Sequence, residues 1–161
     1  MIVSRSASIL GIVGFTVLSF AVAGVGGGVT GPSIPTWYSG LTKPAFNPPN
    51  WIFGPVWTLL YAFMSVAAWR VWRIGGFRGA QAAMGLFFGQ LALNLAWTLI
   101  FFGAHSIGWA LADIGALWLA VAATMVLFWR RDRVAGALFV PYLAWISFAA
   151  ALNFAIWRLN G

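Results

Sequence analysis

The sequence has no cysteine and no glutamate, two aspartates (Asp113 and Asp132) and one histidine, His105. Without cysteine there is no disulfide framework, and the redox compartment leaves no trace in the sequence. One histidine and two aspartates do not make a metal site, so neither a metal nor an obligate cofactor is expected. No carboxylates are paired within an apolar run, and no Ser/His/Asp arrangement is evident, which argues against hydrolytic chemistry. Charge is scarce altogether, at 7% of residues. A soluble domain carries about a quarter, and so few charges could not cover a water-facing surface.

Apolar residues fill the gap: 62% of the chain is hydrophobic and the mean hydropathy is +0.91. Lipid is the solvent this composition suits, and a single compact membrane domain over residues 1–161 is expected. The net charge of +7 raises the question of nucleic acid. The basic residues fall between apolar runs instead of gathering on one soluble face, so no nucleic-acid partner is expected.

A spanning helix needs about 20 mostly apolar residues. Five runs qualify, at about 8–27, 51–72, 80–102, 107–129 and 134–157. The last three connections are short, so consecutive helices should lie antiparallel in a bundle. The first connection, about 28–50, is long and rich in Gly and Pro, and a loop of that kind is usually functional or disordered. Arg5, Arg70, Arg73, Arg78, Arg130, Arg131 and Arg133 fall on one side of such a bundle, against Lys43 and Arg158 on the other. This bias predicts a cytoplasmic N-terminus. Arg5, the following apolar stretch and Ala21-Val22-Ala23 imitate a cleavable signal. The length of the run favours a retained helix.

Two stripes mark the third span. Gly85, Gly89, Ala92 and Ala96 recur at helical spacing, which suits close packing within the bundle or a homodimer seam. Gln90, Asn94, Trp97 and Phe101 lie on another face, and amides are expensive in hydrocarbon, so this face should point inward. The second span carries Trp57, Leu60, Tyr61, Met64 and Ala68 on one face. The fifth carries Trp145, Ala149, Leu152, Asn153 and Ile156. Each stripe alone reads as core packing. Together they favour a cavity for a flat apolar ligand held by stacking and a few hydrogen bonds. Trp69, Trp72, Trp109, Trp129 and Trp157 lie near helix ends and are expected in the interfacial belt. His105, in a short loop, should be solvated. Asp113, about two turns into the fourth span, is a proton relay, a ligand contact or a tie between helices.

The stretch KPAFNPPNWIFGPVWTLLY (Lys43 to Tyr61) is an unusual start to a membrane helix. Pro44, Pro48 and Pro49 stiffen the approach, since proline fixes φ and restricts the residue before it. Asn50 is the expected N-cap, and Pro55 predicts a kink. Trp51 and Trp57 would then point in defined directions. The stretch is expected to form the wall and lid of a pocket, with Trp37, Lys43, Pro44 and Trp51 in the lid.

Several stretches together resemble the translocator protein family, also called tryptophan-rich sensory proteins or peripheral benzodiazepine receptors. They are Trp37-Tyr38, KPAFNPPNWIFGPVWTLLY, QLALNLAWTLIFFG (Gln90–Gly103), GWALAD (Gly108–Asp113) and PYLAWISFAAALNFAIWRLN (Pro141–Asn160). The resemblance implies an all-α integral membrane bundle of five helices, commonly a homodimer, with a ligand pocket closed by the first loop. Family ligands include porphyrins and haem, sterols in animals, and benzodiazepine or isoquinoline drugs. By motif position the pocket would involve Tyr38, Trp57, Asn94, Trp97, Trp145, Ala149 and Leu152. The implied function is binding and transport of tetrapyrroles in a sensory or regulatory role. The alternative is light- and oxygen-dependent breakdown of protoporphyrin at pocket tryptophans, as proposed for some relatives. A third reading, a small channel or secondary transporter using Asp113 for protons, lacks visible inverted repeats or broken helix pairs. Phe154 stands where the family's sterol pattern has tyrosine, so specific cholesterol recognition is not expected. Phe46 stands where many relatives have tryptophan, so photochemistry assigned to that position is not carried over. Family members occur in bacterial and mitochondrial outer membranes, and the lack of a clear transit peptide points to a bacterial source.

Overall fold

The computed structural model describes residues 3–161. Among them all regular structure is helical: α1 (Arg5–Ser33), α2 (Phe53–Trp72), the one-turn α3 (Gly76–Gly79), α4 (Gln81–Thr98), α5 (Ile107–Arg131) and α6 (Arg133–Asn160). Five of these, with the turns that extend α2 and α4, are long and apolar enough to cross a membrane. The chain is a multi-pass membrane protein. In hydrocarbon each helix satisfies its own backbone groups, which loops and open strands cannot do.

The first helix is longer than the expected 8–27. It continues through Gly24, Gly26, Gly27, Gly28 and Gly31 to Ser33, with Pro32 inside its last turn. Glycine-rich sequence reads as loop in water, but in lipid an unwound backbone would leave polar groups unpaired, so the helix persists. At its start the Ser4 hydroxyl accepts from the Ala7 N–H at 3.3 Å. At its end the Ser33 hydroxyl donates to the Phe102 carbonyl at 2.8 Å. The first loop is therefore shorter than expected, and it is ordered.

A further expectation fails at the start of α2. Asn50 does not cap the helix: it opens a 3₁₀ turn, Asn50–Ile52, and makes no capping bond. Pro55 is the third residue of α2. Backbone N–H groups in a first turn have no intrahelical partner, so proline costs no helical hydrogen bond there.

At the arginine-rich end the turn between α5 and α6 is a single residue. Asp132 Oδ1 accepts from the Val134 and Ala135 N–H groups at 2.9 and 3.0 Å, capping α6. Its other oxygen pairs with Arg70 of α2 at 2.8 Å. Burial pushes the Asp132 carboxyl up, but the two N–H donors and the Arg70 guanidinium outweigh burial and hold it below its ordinary range. A Cβ on Gly136 would lie 2.6 Å from Trp129 Cα, so glycine lets α6 cross the end of α5 closely.

Trp69 and Trp72, expected near the interface, are half-buried and make contacts within the bundle. The Trp69 indole donates to the Ser8 carbonyl at 2.9 Å, and Trp72 packs edge-on to Phe15 at 6.0 Å. Both tie α1 to α2. Trp109, Trp129 and Trp157 are exposed, as a belt requires.

The main core lies towards the arginine-rich end, around Met64, Val71, Phe87, Phe128, Phe139 and Tyr142. A smaller cluster of Tyr38, Phe101, Ala110, Leu152 and Ile156 lies towards the loop end. Gly85, Gly89 and Ala92 are exposed and Ala96 is half-buried. That stripe is on the outside of the bundle, not in its interior packing.

Candidate functional site

Between the two clusters is a cavity of about 400 Å³, within the roughly 300–1,000 Å³ range of small-molecule pockets. Tyr38, Trp57, Asn94, Trp97, Trp145, Ala149 and Leu152 all line it. They come from the loop, α2, α4 and α6, which the sequence separates by more than a hundred residues.

Trp97 is held in place on two sides. Its indole N–H donates to Asn153 Oδ1 at 3.1 Å, and the Asn153 amide donates in turn to the Ile107 carbonyl at 3.1 Å. Its ring stacks on Phe101 at 5.3 Å, with 20° between planes. Phe101 reaches that position through a π-helical turn, Leu99–Gly103, which follows α4. One wide turn of this kind re-aims the side chains after it and is common at functional sites.

A buried polar chain runs from the cavity wall, at Tyr61 and Asn94, into the core. The Tyr61 hydroxyl donates to Asn94 Oδ1 at 3.0 Å, the Asn94 amide donates to the Tyr142 hydroxyl at 2.6 Å, and Tyr142 donates to Gln90 Oε1 at 3.0 Å. The amides of α4 thus meet partners from α2 and α6, as a buried polar group must. Trp57 lies edge-on to Tyr142, 6.2 Å between ring centres, and Phe53 edge-on to Trp145 at 6.0 Å. The wall is aromatic, held from behind by hydrogen bonds, and carries no carboxylate or histidine among the described residues.

The first loop covers the cavity end. Tyr38 is buried, and its hydroxyl donates to Asn47 Oδ1 at 2.7 Å. Burial pushes the phenol up to about 12, against the opposing effect of the Asn47 bond. Thr42 and Asn160 exchange two hydrogen bonds, each 2.9 Å, fastening the loop to the end of α6. Lys43 sits 4.8 Å over the Tyr38 ring and donates to the Leu41 carbonyl at 3.0 Å. Trp37 stacks on His105 at 4.4 Å. His105 is exposed, as expected, and adopts φ 56°, a left-handed conformation uncommon outside glycine. Of the four residues assigned to the lid, Trp37, Lys43 and Pro44 belong to this loop but do not line the cavity. Trp51 points outward, 73% exposed.

The sequence reading missed the contribution of α1. Ala23, Gly26, Gly27, Thr30 and Gly31 form one wall. Their signal was small residues at helical spacing, in a segment read partly as loop. A Cβ on Gly27 or Gly31 would meet nothing within 4 Å, so these glycines leave space. Asn50, Phe53, Tyr61, Phe102 and Phe148 also line the cavity. Asp113 does not. Its Oδ2 is buried without a hydrogen-bond partner among the described residues, so a tie to another helix through that oxygen is absent. No group of His, Cys, Asp and Glu among the described residues could hold a metal.

Residues 15–158 match the model of the TspO/MBR family. The chain is 48% identical over 126 residues to the human protein named translocator protein, covering 77% of this chain and 75% of the relative. It is 48% identical over 124 residues to the tryptophan-rich sensory protein of Cereibacter sphaeroides, covering 77% of each. It is 42% identical over 153 residues to the tryptophan-rich protein TspO of Archaeoglobus fulgidus, covering 95% of this chain and 99% of the relative.

Proposed function

The chain belongs to the TspO/MBR family, and we propose that it binds flat apolar ligands, tetrapyrroles such as protoporphyrin and haem foremost, inside its helical bundle. Benzodiazepine-type drugs share the required shape. The observation that carries this reading is the cavity of about 400 Å³ walled by Trp57, Trp97 and Trp145. Indole faces suit a planar π system, and their positions are set before a ligand arrives. The names of the relatives, translocator and sensory protein, support a consequence in transport or sensing.

A binding role fits the side chains better than acid–base catalysis. The cavity offers rings, amides and hydroxyls, with no carboxylate or imidazole among the described residues. Two copies are expected to associate through the outward stripe of Gly85, Gly89, Ala92 and Ala96, where backbones could approach closely.

The test is a titration of the purified chain with protoporphyrin in the dark, followed by tryptophan fluorescence, beside Trp57→Phe and Trp145→Phe. Saturable quenching weakened in both variants is the expected result. Unchanged affinity in both would remove the pocket assignment. Illumination of the same samples separates carriage from breakdown. Porphyrin lost no faster than free porphyrin in detergent would leave binding alone.

A further inference from the structure

The chain leaves α4 through a backbone conformation that glycine usually fills. The π-helical turn closes where the Ala104 N–H donates to the Leu99 carbonyl at 2.8 Å, and the Ser106 N–H reaches back to the Ile100 carbonyl at 3.0 Å. Between those two donors stands His105, at φ 56°. Glycine would take this place without steric cost. The sequence puts an aromatic ring there instead. That ring is exposed, yet it lies face to face with the Trp37 indole, 4.4 Å between centres and 14° between planes. A strained residue that makes one specific contact draws attention to the contact.

Trp37 carries that contact to the cavity wall. Phe101 and Phe102 pack on the same indole at 5.4 and 6.4 Å, at 74° and 84°. Both phenylalanines line the cavity, and His105 does not. The next residue along the loop, Tyr38, also lines it and tilts onto the same two rings at 6.3 and 5.7 Å.

Hydrogen bonds do not do this work. The bonds from Tyr38 to Asn47 and from Lys43 to Leu41 are internal to the loop. Among the described residues, residues 34–49 bond to the later helices only where Thr42 and Asn160 meet, on the α6 side. On the side of α4 and α5 the loop is held by rings.

We propose that His105 is the latch of this lid: its imidazole, stacked on Trp37, holds the first loop against Phe101 and Phe102 and so sets how fast ligand enters and leaves the cavity. The effect on ligand rests on the cavity being the binding site; the hold on the loop does not. His105 acts through Trp37 and touches no ligand. Losing the latch raises the fraction of open loop, which speeds entry and exit alike and leaves the affinity of a mostly closed protein nearly unchanged.

The test uses His105→Asn, which removes the ring and keeps a residue that tolerates the left-handed backbone. Hydrogen exchange of residues 36–42 is read in the ligand-free chain. Release of protoporphyrin to excess serum albumin is read in the dark by stopped flow. Both should be about two- to tenfold faster than in the unaltered chain, with equilibrium affinity unchanged. Trp37→Leu should also speed both, and adding His105→Asn to it should change nothing further, because the stack is already gone. Rates in His105→Asn equal to those of the unaltered chain would overturn the proposal. So would the same acceleration by His105→Asn with Trp37 present or replaced. Faster loop exchange with unchanged porphyrin release, in a chain whose release does respond to Trp57→Phe, would overturn it too. Where release ignores Trp57→Phe, the cavity reading fails instead, and the ligand-free exchange alone decides the latch.

Discussion

The Asn94 amide donates to the Tyr142 hydroxyl across 2.6 Å, joining α4 to α6 behind the cavity wall. Tyr142 is fully buried and passes its own proton on to Gln90 Oε1 at 3.0 Å. Replacing Tyr142 by Phe leaves Asn94 and Gln90 short of a partner in an apolar interior. The expected cost is about 1–2 kcal/mol, modest because buried polar groups in membrane bundles also find other partners. Thermal unfolding in detergent checks it, and a melting temperature equal to that of the unaltered chain would show that the network carries no stability.

At the opposite end, Asp132 combines a helix cap with an ion pair. Its folded carboxyl titrates below the ordinary value of 3.8. A lowered carboxylate pKa contributes stability that is complete above the unfolded value and is lost as pH falls through the folded one. The stability gap between the unaltered chain and Asp132→Asn should therefore be constant above about pH 5 and shrink below about pH 4. Asp132→Ala also removes the cap and should cost about 1 kcal/mol more. Melting curves of the three proteins across pH check both statements.

Tyr38 fastens the first loop through Asn47. Its phenol is pushed up to about 12 by burial. A raised pKa on a group that is neutral when protonated means the bond persists below the unfolded value near 10 and is lost as pH rises towards 12. Hydrogen exchange of residues 36–49 should be unchanged between pH 7 and 9 once corrected for intrinsic rates. It should rise in Tyr38→Phe at every pH.

Gly89 is exposed and a Cβ there meets nothing within 4 Å. Gly89→Leu should leave the fold of one copy intact and convert a dimer to a monomer, as read by light scattering on a size-exclusion column. A dimer that survives the change would place the seam elsewhere.

How far the sequence reached depended on the range of the interaction. The spans follow from local hydropathy, and the inward face of α4 follows from the cost of burying Gln90 and Asn94 in hydrocarbon. The α1 wall escaped because Gly26, Gly27 and Gly31 carry no chemistry of their own: Gly26 lies against Thr98 of α4, and Gly27 and Gly31 matter for the space they leave. Position along the chain marks Trp69 and Trp72 only as residues near a helix end. Their true partners, Ser8 and Phe15, are more than fifty residues away in sequence, and no local pattern reveals that pairing. Asn50 had the composition of a cap, but the 3₁₀ turn that it opens places it against the cavity.

The most direct measurement is a dark fluorescence titration with protoporphyrin of the unaltered chain beside Gly27→Leu. Gly27 lines the cavity and a Cβ there meets open space, so leucine should occupy ligand volume without disturbing a neighbour. It should also favour the helix by about 0.8 kcal/mol over glycine. Affinity reduced at least about tenfold, roughly 1.4 kcal/mol, with a melting temperature equal or higher, is the outcome expected if the ligand sits inside the bundle. Identical saturable quenching in the two proteins would place the ligand somewhere other than this cavity.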